Sequence, residues 1–166
     1  IFFLLLSLFG CNNIIKNNQT SDNFNCPRIF FSSEDRIFIE TVGNSNSFDD
    51  ISLRAELNNF AIVDKCYQKD NILIIPLDIL IITQPMNKLK NADVSIPVYA
   101  ILLDRKNQVL ESQYFMVSGL INTNLEKNTF IETDITNRLK IITENLETAQ
   151  IVIGFMLDDN KRLLLN

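Results

Sequence analysis

Beyond residue 28, apolar and polar positions alternate in short runs that polar turn clusters separate. The runs are rich in β-branched and aromatic residues, a pattern typical of strands. We predict strands at 28–31 and 36–42 (one region broken at 32–35), 51–63, 71–83, 94–103, 109–120, 129–142 and 149–157. About seven strands without a long amphipathic stretch predict an all-β domain, an immunoglobulin-like or fibronectin III-like β-sandwich.

Several local signals refine these strands. The apolar positions change parity at Asn58-Asn59, which predicts a β-bulge, and Pro76 lacks a ladder donor, which predicts a bulge or a change of strand partner. Residues 104–107 predict a hairpin turn, and Asp158 is a candidate cap for a last helical turn over 158–165. Residues 136–146 also fit helical spacing, but the β-branched Ile141 favours a strand over 139–142.

The first nine residues are apolar except for one serine, and Gly10, Cys11 and a polar stretch follow. This run is shorter than the ~20 residues that span a bilayer, so we expect residues 1–10 to be the remainder of a secretory signal peptide. Residues 11–25 have the composition of a flexible tether. The domain would then occupy residues 26–166. The alternative is a buried strand or helix with an incidental Cys.

The segment Leu8-Phe9-Gly10-Cys11 resembles the bacterial lipobox. The resemblance implies that Cys11 carries a diacylglycerol thioether after cleavage behind Gly10, and that the new amino terminus is acylated, for example with palmitate. A membrane anchor on Cys11 would hold the domain facing the periplasm. In the same resemblance, an Asp directly after the Cys signals retention in the inner membrane. This chain has Asn12 there, which implies the outer membrane.

Three cysteines leave one unpaired, and lipidation of Cys11 would account for it. Cys26 and Cys66 then form a pair in an oxidising compartment, where disulfides persist. We predict a bridge between them; two buried free thiols are the alternative. Two Cys without any His are too few ligands for a zinc site.

Further landmarks accompany these cysteines: Cys26-Pro27 at the start of the domain, 96–99, 113–115, and Ile153-Gly154-Phe155-Met156-Leu157 near its end. Together with Cys11 they are similar to a family of alphaproteobacterial lipoproteins of uncharacterised function. The resemblance covers most of residues 11–166. Its motifs are structural, so it implies no mechanism.

Composition limits the chemistry. The net charge is −5 and the Lys and Arg residues are scattered, so nucleic acid is not expected as a partner. Histidine is absent, which removes the commonest general base and metal ligand. We expect no cofactor and no metal site.

Paired carboxylates are the one candidate for catalysis, because a glycan hydrolase needs two of them facing one cleft. The candidates, each in or beside a predicted turn, are Asp49-Asp50, Glu132 with Asp134, and Asp158-Asp159. Solvated acidic loops are the simpler interpretation. Aromatic residues could form a recognition surface or close the core; they are Tyr67, Tyr99, Tyr114 and Phe115.

Two functions therefore remain: a non-catalytic binding or scaffolding module in the cell envelope, and an envelope enzyme that works without histidine. The lack of His favours the binding module. Residues 109–117 carry Glu111 as their only charge and no proline. If the protein binds an envelope partner by strand addition, we predict that this segment supplies the open edge.

Overall fold

The computed structural model of the protein describes residues 25–124 and 127–165. These residues form strands, two 3₁₀ turns and one short helix. The strands are β1 (Arg28–Phe31), β2 (Ile37–Thr41), β3 (Ile51–Ile62), β4 (Tyr67–Lys69), β5 (Ile72–Pro85), β6 (Asp93–Leu103), β7 (Val109–Leu120), β8 (Thr123–Asn124), β9 (Thr129–Phe130), β10 (Thr133–Thr143) and β11 (Gln150–Phe155), and the helix is α1 (Asp159–Leu163). Within this part of the chain, no helix has the length and apolarity needed to cross a membrane.

Two main sheets pack face to face. Sheet A has the strand order β1-β11-β6-β7, and sheet B has the order β10-β5-β3-β2 with β4 also paired to β5. β1 runs parallel to β11, and the other pairs in both sheets are antiparallel. Alternate residues of both sheets, such as Leu57, Leu77, Ile96 and Ile153, are fully buried between them. The predicted all-β, immunoglobulin/fibronectin III-like sandwich is confirmed.

The predicted irregularities of the strands are confirmed as well. The β3–β5 register shifts between Leu57 and Asn59, as expected of a bulge. At Pro76, β5 changes its partner from β3 to β4. The Pro76 carbonyl accepts a bond from the Val63 amide. Since the N–H and C=O of a strand residue point to the same side, the missing proline donor falls where the two partner strands meet.

The predicted turn and helix cap are present. The Asp104 carboxylate accepts hydrogen bonds from the backbone amides of Lys106 and Gln108, which closes the hairpin between β6 and β7. Asp158 caps α1 by accepting a bond from the Lys161 amide. The helical alternative for residues 136–146 is wrong at 139–142, which lie within β10.

Three strand predictions need correction. The region 28–42 is not one strand region, because β1 joins sheet A and β2 joins sheet B after the chain crosses between them. The predicted strand 129–142 is broken, because β9 pairs with β8 before the chain enters β10. The structure has more than the seven predicted strands, partly because β4 was not predicted. β4 has only three residues and is joined to β5 by a tight turn at Asp70 and Asn71, both at positive φ.

Cys26 and Cys66 form a disulfide, as predicted from the cysteine count. Their Cα atoms are 5.6 Å apart and their sequence separation is 40 residues. The bridge joins the start of sheet A to the loop before β4, so it crosslinks the two sheets. Cys11, residues 1–10 and the predicted tether up to residue 24 lie outside the described residues.

Candidate edge-strand binding site

β7 is an edge strand of sheet A. It pairs with β6 along its whole length, and no other described strand pairs with its opposite side. The open edge that the hypothesis of strand addition requires is therefore present in the described part of the chain.

The backbone groups that point to this edge can be assigned. The Ser118 carbonyl accepts a bond from the Asn137 side chain at 3.0 Å, so it points away from β6. Antiparallel ladders alternate, with every second residue bonded to its neighbour strand. Ser112, Tyr114 and Met116 share the parity of Ser118, so their N–H and C=O groups point outward as well.

The four outer edge strands of the two main sheets differ in how well they are protected against pairing with another strand. β1 and β2 have only 4 and 5 residues, and short strands offer little for a partner to pair with. β10 exposes the charged residues Asp134, Arg138 and Lys140, which discourage pairing. β7 has 12 residues and Glu111 as its single charge. It is the longest of these edges and has the fewest charges per residue.

Glu111 faces sheet B rather than a potential partner. Its carboxylate accepts hydrogen bonds from Thr143 at 2.6 Å and Asn145 at 3.1 Å, and from the Gln113 side chain at 2.7 Å. Partial burial by itself raises the pKa of Glu111, but these hydrogen bonds outweigh burial and hold the pKa below its ordinary value. The only charge of β7 is thus held within the fold.

Two side chains bridge the neighbouring edges of the sheets. Asn137 of β10 reaches the Ser118 carbonyl, and Gln113 of β7 donates to the Ile142 carbonyl at 2.8 Å. These bonds fasten β7 to β10 at Gln113 and at Ser118. Between them, the outward backbone of Tyr114 and Met116 lies open to a partner strand.

The side chains beside this open backbone are apolar and exposed. Tyr114 is 66% exposed and Met116 is 62% exposed. Their cross-strand neighbours on β6 are Tyr99 and Pro97, which lie on the same outer face. A docking strand would find both backbone partners and apolar contacts here, the combination that β-strand addition uses.

Tyr99 lies flat on this outer face because Gly154 leaves room for its ring. A Cβ at Gly154 would stand well inside van der Waals contact of the Tyr99 hydroxyl, Cζ and Cε1 atoms. The hydroxyl crosses β11 and donates to Asp35 Oδ2 at 2.7 Å. Arg162 of α1 forms an ion pair with Asp35, with 3.0 Å between Arg162 Nη2 and Asp35 Oδ1.

The network around Asp35 fixes the position of Tyr99. The Asp35 side chain is only 9% exposed, so its charge needs these partners. Burial raises the pKa of Tyr99 to about 12. A hydrogen bond to Ser32 opposes this shift, and the hydrogen bond and charge of Asp35 add to it. Tyr99 therefore stays a neutral donor at physiological pH. The sequence gives no sign of this network, because its members come from distant segments.

One carboxylate of each pair proposed for catalysis has a partner in the local structure. Asp50 pairs with Lys88, which lowers the pKa of the Asp50 carboxyl. Glu132 accepts a bond from Gln84, and Asp158 caps α1. A general acid needs a raised pKa, whereas in the described part of the chain the pKa values of the Asp50, Asp78 and Glu111 carboxyls are lowered. Among the described residues, no three acidic or Cys side chains are grouped to hold a metal.

The four predicted aromatic candidates divide between surface and core. Phe115 packs against the core, whereas Tyr67 and Tyr114 are exposed on opposite faces of the sandwich. Tyr99 lies between these extremes. Core closure is therefore the wrong interpretation for Tyr67 and Tyr114.

Comparisons of this chain with protein-family models, with curated proteins and with solved structures find no match.

Proposed function

We propose that this chain is a lipid-anchored envelope lipoprotein whose sandwich is a non-catalytic binding module, and that β7 receives an extended strand from another envelope protein. The observation that carries the proposal is the open edge of β7. Its outward backbone at Tyr114 and Met116 is flanked by exposed apolar side chains and carries no outward charge.

Two further observations support an exported, anchored protein. The lipobox resemblance of Leu8 to Cys11 supplies the anchor, which would face the periplasm from the outer membrane. The Cys26–Cys66 disulfide fits an oxidising compartment. Two or three acyl chains on Cys11 would hold the domain stably, since a single chain binds only marginally.

Proline substitution tests the edge directly. Met116→Pro removes an outward donor of β7 while leaving the β6 ladder, because the Met116 amide points away from β6. Proline is tolerated at such edge positions. Lys140→Pro is the matched control on β10. Lys140 lies opposite Pro76 of β5, and the Pro76 carbonyl bonds on the β3 side of β5, away from β10. The Lys140 amide therefore makes no bond to β5 and points outward from its sheet.

The assay is photo-crosslinking in the native envelope, with a photoreactive residue in place of Ser112. We expect an adduct with a second protein, identified by mass spectrometry, that Met116→Pro abolishes and Lys140→Pro leaves intact. An adduct that survives Met116→Pro would refute strand addition at β7. So would an adduct lost equally in both variants.

The anchor has a separate test. Cys11→Ser should abolish labelling by a fatty-acid probe in the native cell. If the variant is labelled as strongly as the parent, Cys11 is not the lipidated residue.

A further inference from the structure

The open edge of β7 has a defined beginning. Its ladder to β6 shifts register between Leu102 and Leu103, which leaves Leu110 out of step, so the regular part of β7 begins at Glu111. Such a bulge breaks the even spacing of backbone groups that a partner strand needs. Beyond it, four residues of β7 point their backbone groups outward: Ser112, Tyr114, Met116 and Ser118.

Near its other end, β7 is covered by β10. Asn137 and Ile135 lie two residues apart on β10, so their side chains leave the same face of the strand. Asn137 donates to the Ser118 carbonyl at 3.0 Å. Ile135 lies so close to the next residue of β7, Gly119, that a Cβ there would stand 2.6 Å from Ile135 Cδ1. β10 therefore closes on β7 from Ser118 onward.

The Asn137 amide takes an acceptor that a longer partner strand would need. Each outward residue of an edge strand offers one N–H and one C=O to its partner. At Ser118 the carbonyl already has the Asn137 donor on the side away from β6, which is the side from which a partner approaches. A strand that ran past Met116 would have to displace this amide and break its hydrogen bond.

We propose that Asn137 ends the docking stretch of β7, so that the segment received from the partner pairs with residues 112–116 alone. This inference rests on the proposed function and narrows its partner. A short extended segment of about five residues covers Ser112, Tyr114 and Met116. A long edge strand of another sheet would overrun both ends of the stretch. Apolar side chains on the segment would suit the exposed Tyr114 and Met116 beside them.

Photo-crosslinking in the native envelope measures the length of the docked segment. A photoreactive residue replaces either Ser112, inside the stretch, or Leu120, which is 64% exposed and lies beyond the Asn137 contact. In the parent chain we expect an adduct through Ser112 and only background through Leu120. Asn137→Ala should raise the adduct through Leu120 by about three- to tenfold, which corresponds to one hydrogen bond of ordinary strength.

Two further variants sharpen the test. Asn145→Ala is the matched control, because Asn145 follows β10 and also bonds to β7, through Glu111 at 3.1 Å, but leaves Ser118 covered. It should keep the Leu120 adduct at background. Asn137→Thr guards against misfolding, since Thr favours strands and its side chain is one bond shorter than that of Asn. It should behave like Asn137→Ala.

The outcomes separate this inference from the proposed function. An adduct through Leu120 in the parent chain as strong as that through Ser112 would overturn the role of Asn137 and leave strand addition standing. So would a Leu120 adduct that stays at background in both Asn137 variants, or one that rises equally in Asn145→Ala. No adduct through Ser112 in any of these chains would refute strand addition at β7 itself, and the role of Asn137 with it.

Discussion

Gly154→Ala is the substitution whose effect depends most on the position of Tyr99. In an ordinary strand, replacing Gly by Ala stabilises by about 0.5–1 kcal/mol, because Ala loses less backbone entropy on folding. Here the added Cβ displaces the Tyr99 ring and breaks its hydrogen bond to the buried Asp35 carboxylate. Hydrogen bonds to charged groups contribute about 1.5–3 kcal/mol. The balance predicts a net loss of about 1–2 kcal/mol.

The effect of Gly154→Ala on stability should change sign when the Tyr99 ring is absent. In a Tyr99→Val background, nothing opposes the Cβ, so Gly154→Ala should stabilise by about 0.5–1 kcal/mol. Urea unfolding of the four disulfide-intact proteins, followed by circular dichroism because the chain has no Trp, gives the double-mutant cycle. If Gly154→Ala destabilises equally in both backgrounds, Tyr99 does not occupy the space above Gly154 and the reasoning fails.

Three further perturbations have predicted outcomes. Replacing Cys26 and Cys66 by Ala should lower the free energy of unfolding by up to about 4 kcal/mol, the loop-closure value for 40 residues; an unchanged urea midpoint would show that the bridge adds nothing. The folded-state pKa of Tyr99 is raised, so its contribution is complete below its ordinary value of 10.0 and is lost as pH rises toward about 12. Tyr99→Phe should flatten the stability curve in that window, and an identical slope would count against this. The pKa of Glu111 is lowered, so its contribution is present above its ordinary value of 4.5 and is lost as pH falls through the lower folded value. Glu111→Gln should reduce acid destabilisation there, and equal acid midpoints would contradict it.

Local signals predicted much of the fold. The parity change at Asn58-Asn59, the missing donor of Pro76 and the cap at Asp158 each act within a few residues, so the sequence displays them directly. The low charge of 109–117 likewise pointed to the open edge. Short-range chemistry of this kind is legible without knowing where distant strands pair.

Other features arise only from packing between distant segments. Nothing local to residues 28–42 shows that β1 and β2 belong to different sheets, since both are ordinary apolar strands. The bond between Tyr99 and Asp35 joins residues 64 positions apart, and no spacing rule relates them.

Amide hydrogen exchange of β7 in the dilute, partner-free protein shows whether its edge is open to strand addition. We expect alternation along the strand: the amides of Tyr114 and Met116 exchange rapidly, while those of Phe115 and Val117 are protected by their bonds to β6. Protection of Tyr114 and Met116 equal to that of Phe115 and Val117 would show that the edge is already paired and would contradict the proposed binding site.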